Sequence, residues 1–534
     1  MPFLLTLAGR TFRALILGPL YLFVPLVIAH CLYRLYIHPL ARVPGPRLAA
    51  LSNFWHAYQA RNGRMRELGK TLHRRYGPVV RVGPDEVWFD SVEGFKHIYS
   101  PGSDFEKSDF YCKIKLLTNT WTQSDPDLTV ATALTRPQVN RWLEPSFPDS
   151  LDFLSERDVK RYRIQRRLVG PIYHISNLKR FETAVDDVIR KSIVQLRSLD
   201  GAAVDLKEWM HIITVECLGA AVLSWSPGLL KQKSDGGSGP HSYIGWRKKS
   251  VFGLFPLIVL LECVCKSVGR LFAICWGVTY QAPKGFKPFF TGVHRQTKRR
   301  LARIAKGESA RTHQDLLADL ISLHESRPEF TQEYLKRMTV TNFGAGHETM
   351  TSTLTSAVSM ICSHPETLKR VLDEISDVKD PTRYDNRSNL TYTQASIKEA
   401  QRLFPVIGMS LPRKVPAQGF HAHGYYFPAG TTVGCNPVSL HMNKDVFGSD
   451  ADDFRPGRWL EREDIREMEK YNLTWGGGSR TCPGRQLAEL IVPKITVALL
   501  NEFRIEVEVP PEAEMPVYFM AMMSGVRARF LSRT

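Results

Sequence analysis

Ten residues limit what this chain can fold into more than any others: Trp475-Gly476-Gly477-Gly478-Ser479-Arg480-Thr481-Cys482-Pro483-Gly484. They set one cysteine in a glycine-rich turn, with Arg480 two residues before it and Gly484 two residues after. Glycine lets the backbone approach a flat ligand closely. Amide N–H groups in such a turn can point at the Cys482 sulfur and favour the thiolate, the form of cysteine that ligates metal. Arg480 adds a planar, permanently charged fork suited to a carboxylate. The competing reading is a glycine-rich turn around a structural cysteine, since free cysteines are usually just buried.

The loop resembles the haem-binding signature of the cytochrome P450 monooxygenases, Phe-x-x-Gly-x-Arg-x-Cys-x-Gly. It matches at Gly478, Arg480, Cys482 and Gly484, with Trp475 where the family usually has phenylalanine. The resemblance implies that Cys482 is the axial thiolate of haem b and that Arg480 meets a haem propionate. Such a thiolate pushes electron density toward bound oxygen and favours O–O cleavage.

Other segments follow in the family's order. Glu399-Ala400-Gln401-Arg402 puts a carboxylate and a guanidinium on one helix face, and Phe454-Arg455-Pro456-Gly457-Arg458-Trp459 comes later. By resemblance, Glu399, Arg402 and Arg458 form a buried structural triad that holds the cysteine loop. Removing one partner of such a triad would strand charge. Arg413, in Leu411-Pro412-Arg413, stands at the family's propionate-binding arginine. In Asp158 to Tyr173, Tyr162 and Arg166 share a helix face. They match another propionate-binding pair, with tyrosine in place of the usual tryptophan or histidine. The cationic face of Lys160, Arg161, Arg163 and Arg167 is either solvated or a dock for an acidic electron donor.

Gln332 to Ser363 reads as one long helix, weakened at Gly344 and Gly346. Each interior glycine costs about 1 kcal/mol, so two so close together suggest that a ligand needs the space. The segment is similar to the family's I helix. By that match Glu348 and Thr349 are the catalytic acid–alcohol pair. Thr349 would hydrogen-bond the oxygen or its water, and Glu348 would relay protons from solvent. His347 is expected on the helix surface rather than on iron.

The chain has 534 residues and a formal net charge of +18. Such charge fits nucleic acid, a membrane surface or an acidic protein. With no nucleic-acid motif, membrane and donor protein are favoured. Nine cysteines without a C-x-x-C pair suit a reducing compartment. Ala14 to Tyr33 carries no formal charge and is bracketed by Arg13 and Arg34. About 20 apolar residues cross a bilayer core, so residues 14–33 are expected to be a transmembrane anchor after a short tail, 1–13. Residues 34–50, with Val43-Pro44-Gly45-Pro46, would form a stiff hinge. The catalytic domain would be 51–534. Lys231 to Ser250 reads as a mobile loop. The apolar run Val251 to Cys265 reads equally as a monotopic insertion or a buried helix.

The expected fold is mainly α with small β-sheets, the cytochrome P450 haem-thiolate fold behind an N-terminal transmembrane helix. The expected activity is NADPH- and O2-dependent monooxygenation of a lipophilic small molecule. The wording of the loop and hinge resembles filamentous-fungal members that act in specialised metabolism on terpenoids or polyketides. Electrons would reach haem from NADPH through NADPH-cytochrome P450 reductase, with cytochrome b5 a second candidate donor. The family's location would be the endoplasmic reticulum membrane, single-pass, with the catalytic domain cytosolic. Pocket walls are expected at Val406, Ile407, Met409, Phe519, Met520, Met522 and Met523, an adaptable apolar set. Two other readings stay open: a haem-thiolate isomerase or dehydratase that needs no reductase, and a non-catalytic haem-binding protein.

Overall fold

A computed structural model describes residues 24–111, 153, 156–280, 290–309 and 312–533. The elements that build the site are α1 (Val92–Tyr99), α2 (Val159–Val169), α3 (Leu206–Leu223), α4 (Ser238–Phe252), α5 (Pro256–Val264), α6 (Lys266–Trp276), α7 (Phe290–Ile304), α8 (Gln332–Cys362), α9 (Thr391–Leu403) and α10 (Arg485–Glu502).

The strands are β1 (Val79–Gly83), β2 (Glu86–Phe89), β3 (Glu106–Lys107), β4 (Val204–Asp205), β5 (Arg413–Lys414), β6 (Phe420–Ala422), β7 (Tyr425–Phe427), β8 (Thr432–Cys435), β9 (Phe503–Glu508) and β10 (Arg527–Ser532). They make a five-stranded sheet in the order β1-β2-β8-β5-β3, a three-stranded sheet β4-β10-β9, and the pair β6-β7. The expectation of a mainly helical fold with small sheets holds.

Helix α8 runs through the largest core, packed along α3 and against α9 and α10. Its buried half is rich in Ser and Thr, which ordinarily disfavour helix interiors. Here the hydroxyls fold back on the preceding turn: Thr351 to the His347 carbonyl at 2.5 Å, Thr353 to Thr349 at 3.0 Å and Thr355 to Thr351 at 2.8 Å. The polar groups are thereby satisfied without leaving the helix.

One expectation changes. Lys231 to Ser250 is largely helical, not a loop. Asp235 accepts hydrogen bonds from the N–H groups of Gly237 and Gly239 at 2.7 and 2.8 Å, and α4 starts there. Its inward face buries Tyr243 and Trp246, and burial of that face is what stabilises a helix of modest propensity. The apolar run Val251 to Cys265 divides into the end of α4 and then α5, and α6 follows it. Leu257, Leu261, Leu271 and Ile274 lie exposed there.

Of the expected anchor, residues 14–23 lie outside the described residues, and 24–32 are helical with largely exposed side chains. Among the described residues no helix is long and apolar enough to cross a membrane. The segment Val43–Pro46, expected as the hinge, lies against the sheet. The Pro44 carbonyl accepts the Arg81 N–H at 2.7 Å, and a Cβ on Gly45 would meet the Arg81 carbonyl oxygen at 2.3 Å.

Candidate functional site

The cysteine loop is shaped by close backbone contact. Gly478 has φ +59°, and a Cβ there would lie 2.1 Å from the Tyr99 carbonyl oxygen at the end of α1. Any side chain would push the loop off α1. The Cys482 N–H closes the loop onto the Trp475 carbonyl at 2.8 Å. Cys482 sits just before α10, whose N-terminus favours negative charge. Burial pushes the Cys482 thiol up. The N–H groups of Gly484 and Arg485 oppose this by hydrogen-bonding the sulfur, and the charges of Arg166 and Lys107 help them. The sulfur is therefore surrounded by groups that favour a thiolate once a metal takes it.

Beneath the loop, Glu399 is fully buried between Arg402 and Arg458. One of its oxygens accepts from Arg402 Nη2 and Arg458 Nε at 2.8 Å each, and from the Arg455 N–H at 3.1 Å. The other accepts from Arg402 Nε at 2.9 Å and from the Trp459 indole at 2.8 Å. The remaining guanidinium donors find carbonyls at His441, Phe447, Asp450, Ala451 and Asp453. The three residues that the sequence pointed to are thus brought together.

His441, which no motif flagged, links them to the loop. Its Nδ1–H donates to the Arg402 carbonyl at 2.9 Å, and its Nε2 accepts the Leu473 N–H at 2.8 Å. Burial lowers its pKa to about 3, so the ring is neutral, as this pairing requires.

Around α2, cations converge. The Arg480 guanidinium lies 3.9 Å from the Tyr162 ring centroid and donates to the carbonyls of Glu156 and Arg157 at 2.7 Å each. Burial, with nearby Arg413, lowers its pKa to about 10. Arg413 is buried 5.2 Å over the Tyr99 ring. Arg166 leaves a buried Nη1 without a hydrogen-bond partner among the described residues. Lys107, which sequence reasoning missed, pairs with Arg413 in the β3–β5 register and donates to the Phe153 carbonyl at 2.9 Å. Four cations, Lys107 and Arg413 buried and Arg166 and Arg480 half-buried, converge here and suit anionic ligands. The donor set and the orphaned Arg166 nitrogen fit a haem with its propionates.

On α8, Gly344 and Ala345 are exposed in mid-helix, and a Cβ on Gly344 would meet only Phe290 within 4 Å, at 3.9 Å. Thr349 donates to the Ala345 carbonyl at 2.7 Å and lies partly open on the same face. Glu348 points elsewhere. It is 3 % exposed, and its Oε2 accepts the Trp246 indole N–H from α4 at 2.6 Å. Its Oε1 has no hydrogen-bond partner among the described residues. A carboxylate turned directly to solvent is therefore not what the fold shows.

His347 corrects another expectation. It is 2 % exposed, its Nδ1 lies 3.0 Å from Nε2 of His211 on α3, and His211 Nδ1 lies 3.1 Å from Asp235. It faces the helix packing rather than the surface.

Met409, Phe519, Met520 and Met522 form one apolar cluster with Phe110, Tyr111, Tyr243 and Trp246, with Val406 and Ile407 against it. Met523 belongs instead to the main helical core. The two wall segments pair: Gly408 N–H donates to Phe519 O at 2.9 Å and Ala521 N–H to Val406 O at 2.7 Å. Beside this cluster a cavity of about 370 Å³ is lined by Arg34, Asn53, Glu86, Phe110, Leu254 and Met409, among others.

The family described as Cytochrome P450 matches residues 132–526, well over half of the chain. The cytochrome P450 monooxygenase sdnT of Sordaria araneosa is 53 % identical over 95 % of this chain and 93 % of its own length. Pisatin demethylase of Fusarium vanettenii is 28 % identical over 89 % of this chain and 87 % of its own. The cytochrome P450 monooxygenase gsfF of Penicillium aethiopicum is 26 % identical over 95 % and 96 %.

Proposed function

The chain belongs to the cytochrome P450 family of monooxygenases, and we propose that it oxidises a lipophilic small molecule at a haem held by Cys482. The observation that carries this is a half-buried cysteine, ringed by N–H donors and cations, near the basic side chains of Arg166, Arg413, Arg480 and Lys107, with an Arg166 nitrogen that has no hydrogen-bond partner among the described residues. Haem b bound there supplies oxygen activation, with electrons from NADPH delivered by a separate reductase.

The chain's own residues do the rest. Cys482 ligates as thiolate. Arg166, Arg413, Arg480 and Tyr162 hold the propionates, and Lys107 adds a fifth polar group. Glu399, Arg402 and Arg458 keep the loop in place. Thr349 holds a water on the open face of α8, and Glu348 gives up a proton from its carboxyl oxygen as general acid. The methionine-rich cluster excludes water and adapts to an apolar substrate. The cavity at Phe110 and Met409 is the route in.

The relatives in Sordaria, Fusarium and Penicillium support a role in fungal specialised metabolism. A terpenoid or polyketide skeleton is the proposed substrate class. Residues 14–33 serve as the single-pass anchor, 34–50 as the hinge and 51–534 as the catalytic domain. The exposed apolar residues of α5 and α6 support contact with the membrane surface. The location is the endoplasmic reticulum membrane with the domain cytosolic, where reductase and cytochrome b5 reach the basic face of α2. A glycan on Asn472 in cells would place the domain in the lumen and sink this topology.

The central test uses the full-length enzyme with reductase and NADPH under ¹⁸O2, with lipophilic compounds first screened by binding spectra. One labelled oxygen atom should enter a product. Conversion that proceeds without reductase and leaves product unlabelled would support the isomerase reading instead.

A further inference from the structure

The hydrogen bond between the Trp246 indole and Glu348 joins two parts of the site that sequence reasoning treats separately. One end is the acid on α8. The other end is a wall of the apolar cluster: Trp246 lies 5.2 Å from Phe519, centroid to centroid, with the rings 30° apart, and Phe110 lies 5.4 Å from the same ring. Helix α4 is fastened to this wall in two more places. Ser250 Oγ accepts the Phe519 N–H at 2.8 Å, and the Tyr243 hydroxyl donates to the Pro516 carbonyl. Whatever packs against Phe519 therefore presses on the indole that holds Glu348.

The electrostatics match. Lys249, one turn along α4, lies buried 4.1 Å from the Trp246 ring centroid, and Glu348 is the carboxylate that favours its charged form. Burial lowers its pKa to about 8. Glu348 is thus held toward α4 by one direct donor and Lys249, with Lys207 of α3 a second nearby cation, while its Oε1 has no hydrogen-bond partner among the described residues. A buried carboxylate oxygen without a donor costs free energy. The arrangement is easily tipped toward any conformation that satisfies both oxygens.

We propose that Trp246 is a positioning residue that ties the orientation of the Glu348 carboxylate to occupancy of the apolar pocket. With the pocket empty, the indole keeps Glu348 turned toward α4. A lipophilic occupant that packs on Phe519 displaces the indole, and Glu348 turns toward Thr349. Proton delivery is then withheld until a substrate is present, which limits wasted NADPH. The proposal rests on Glu348 being the proton donor.

The test uses full-length holoenzyme labelled with 5-fluorotryptophan. The ¹⁹F resonance missing in Trp246→Phe should shift in Glu348→Gln and shift again when clotrimazole, a lipophilic azole, fills the pocket. In reductase assays without substrate, Trp246→Phe should raise NADPH consumption roughly ten-fold, the scale of one lost charge-assisted hydrogen bond. That rise should vanish in the Trp246→Phe/Glu348→Gln double variant, and Trp246→His, which keeps an N–H donor, should restore low consumption. A resonance that ignores both Glu348→Gln and clotrimazole overturns the latch, even where Trp246→Phe does not fold. So does an equal rise with and without Glu348. A Glu348→Gln enzyme with an unchanged solvent isotope effect overturns the donor reading separately, since the ¹⁹F arm still reports the contact.

Discussion

The two faces of the site treat polar groups in opposite ways. On the cysteine side, Glu399 accepts five hydrogen bonds, and Arg402 and Arg458 donate to it and to surrounding carbonyls. On the α8 side, Glu348 has one direct donor, and Thr349 is folded back on its own helix. A saturated network has one arrangement and resists change. An undersatisfied one has alternatives close in energy. The first suits a group that must hold a ligand in fixed geometry, and the second suits groups that must move protons.

The largest effect should come from breaking the fixed side at its centre. Cys482→Ser is expected to abolish turnover and the red-shifted Soret band of the reduced carbonyl adduct. A variant that keeps both would show that another residue ligates the iron. Next comes Glu399→Gln. It leaves the buried Arg402 guanidinium without a carboxylate and Arg458 with Asp450 alone, at a cost of ~3–5 kcal/mol. Thermal unfolding and haem retention should both fall sharply. If Glu348→Gln lowers stability as much as Glu399→Gln does, the contrast between the two faces is wrong.

His441 sharpens the comparison through pH. Its folded pKa, about 3, lies below the ordinary histidine value. The unfolded chain therefore binds the proton more readily, and stability rises with pH across the window between them. The contribution is complete above about pH 6.5 and is lost as pH falls toward 3. Denaturant midpoints measured from pH 7.5 to 5 should fall in the wild type. His441→Gln should flatten that dependence, at a cost near neutrality of ~1–3 kcal/mol from orphaned backbone groups. An unchanged slope would mean that other groups carry the acid sensitivity.

Much of the fixed side was legible because it needs particular residue types at short spacing. Glycine is required where a Cβ would strike Tyr99, and Glu399 and Arg402 share one helix turn. Its links were not. Trp459 reaches Glu399 and His441 reaches Leu473 through tertiary contacts that no local pattern records, and Lys107 joins Arg413 through strand pairing. The moving side was less legible still. Glu348 and Thr349 sit where the helix glycines pointed, but Trp246 lies 102 residues away in sequence. The stretch that carries it looked like a loop, because its glycines and lysines hide a face that only burial stabilises. His347 was misplaced for a similar reason, since its partner His211 lies 136 residues upstream.

The smallest effect on stability, and the most specific on chemistry, is expected at Thr349. Its hydroxyl donates to the Ala345 carbonyl at 2.7 Å, a bond that water can replace because the residue lies partly open. Thr349→Ala should therefore shift the unfolding midpoint little, by ~0–1 kcal/mol, and leave haem content and binding spectra nearly unchanged. What it removes is a hydroxyl beside the space above Gly344 and Ala345, where a water must be held to pass protons on. NADPH should still be consumed, while a larger share of its electrons is released as peroxide. Glu348→Gln should instead slow turnover and enlarge the solvent isotope effect, because it removes the acid rather than the relay. If Thr349→Ala keeps full product yield per NADPH, this face is as structural as the other. The Glu348–Thr349 pair would then lose its claim to proton delivery.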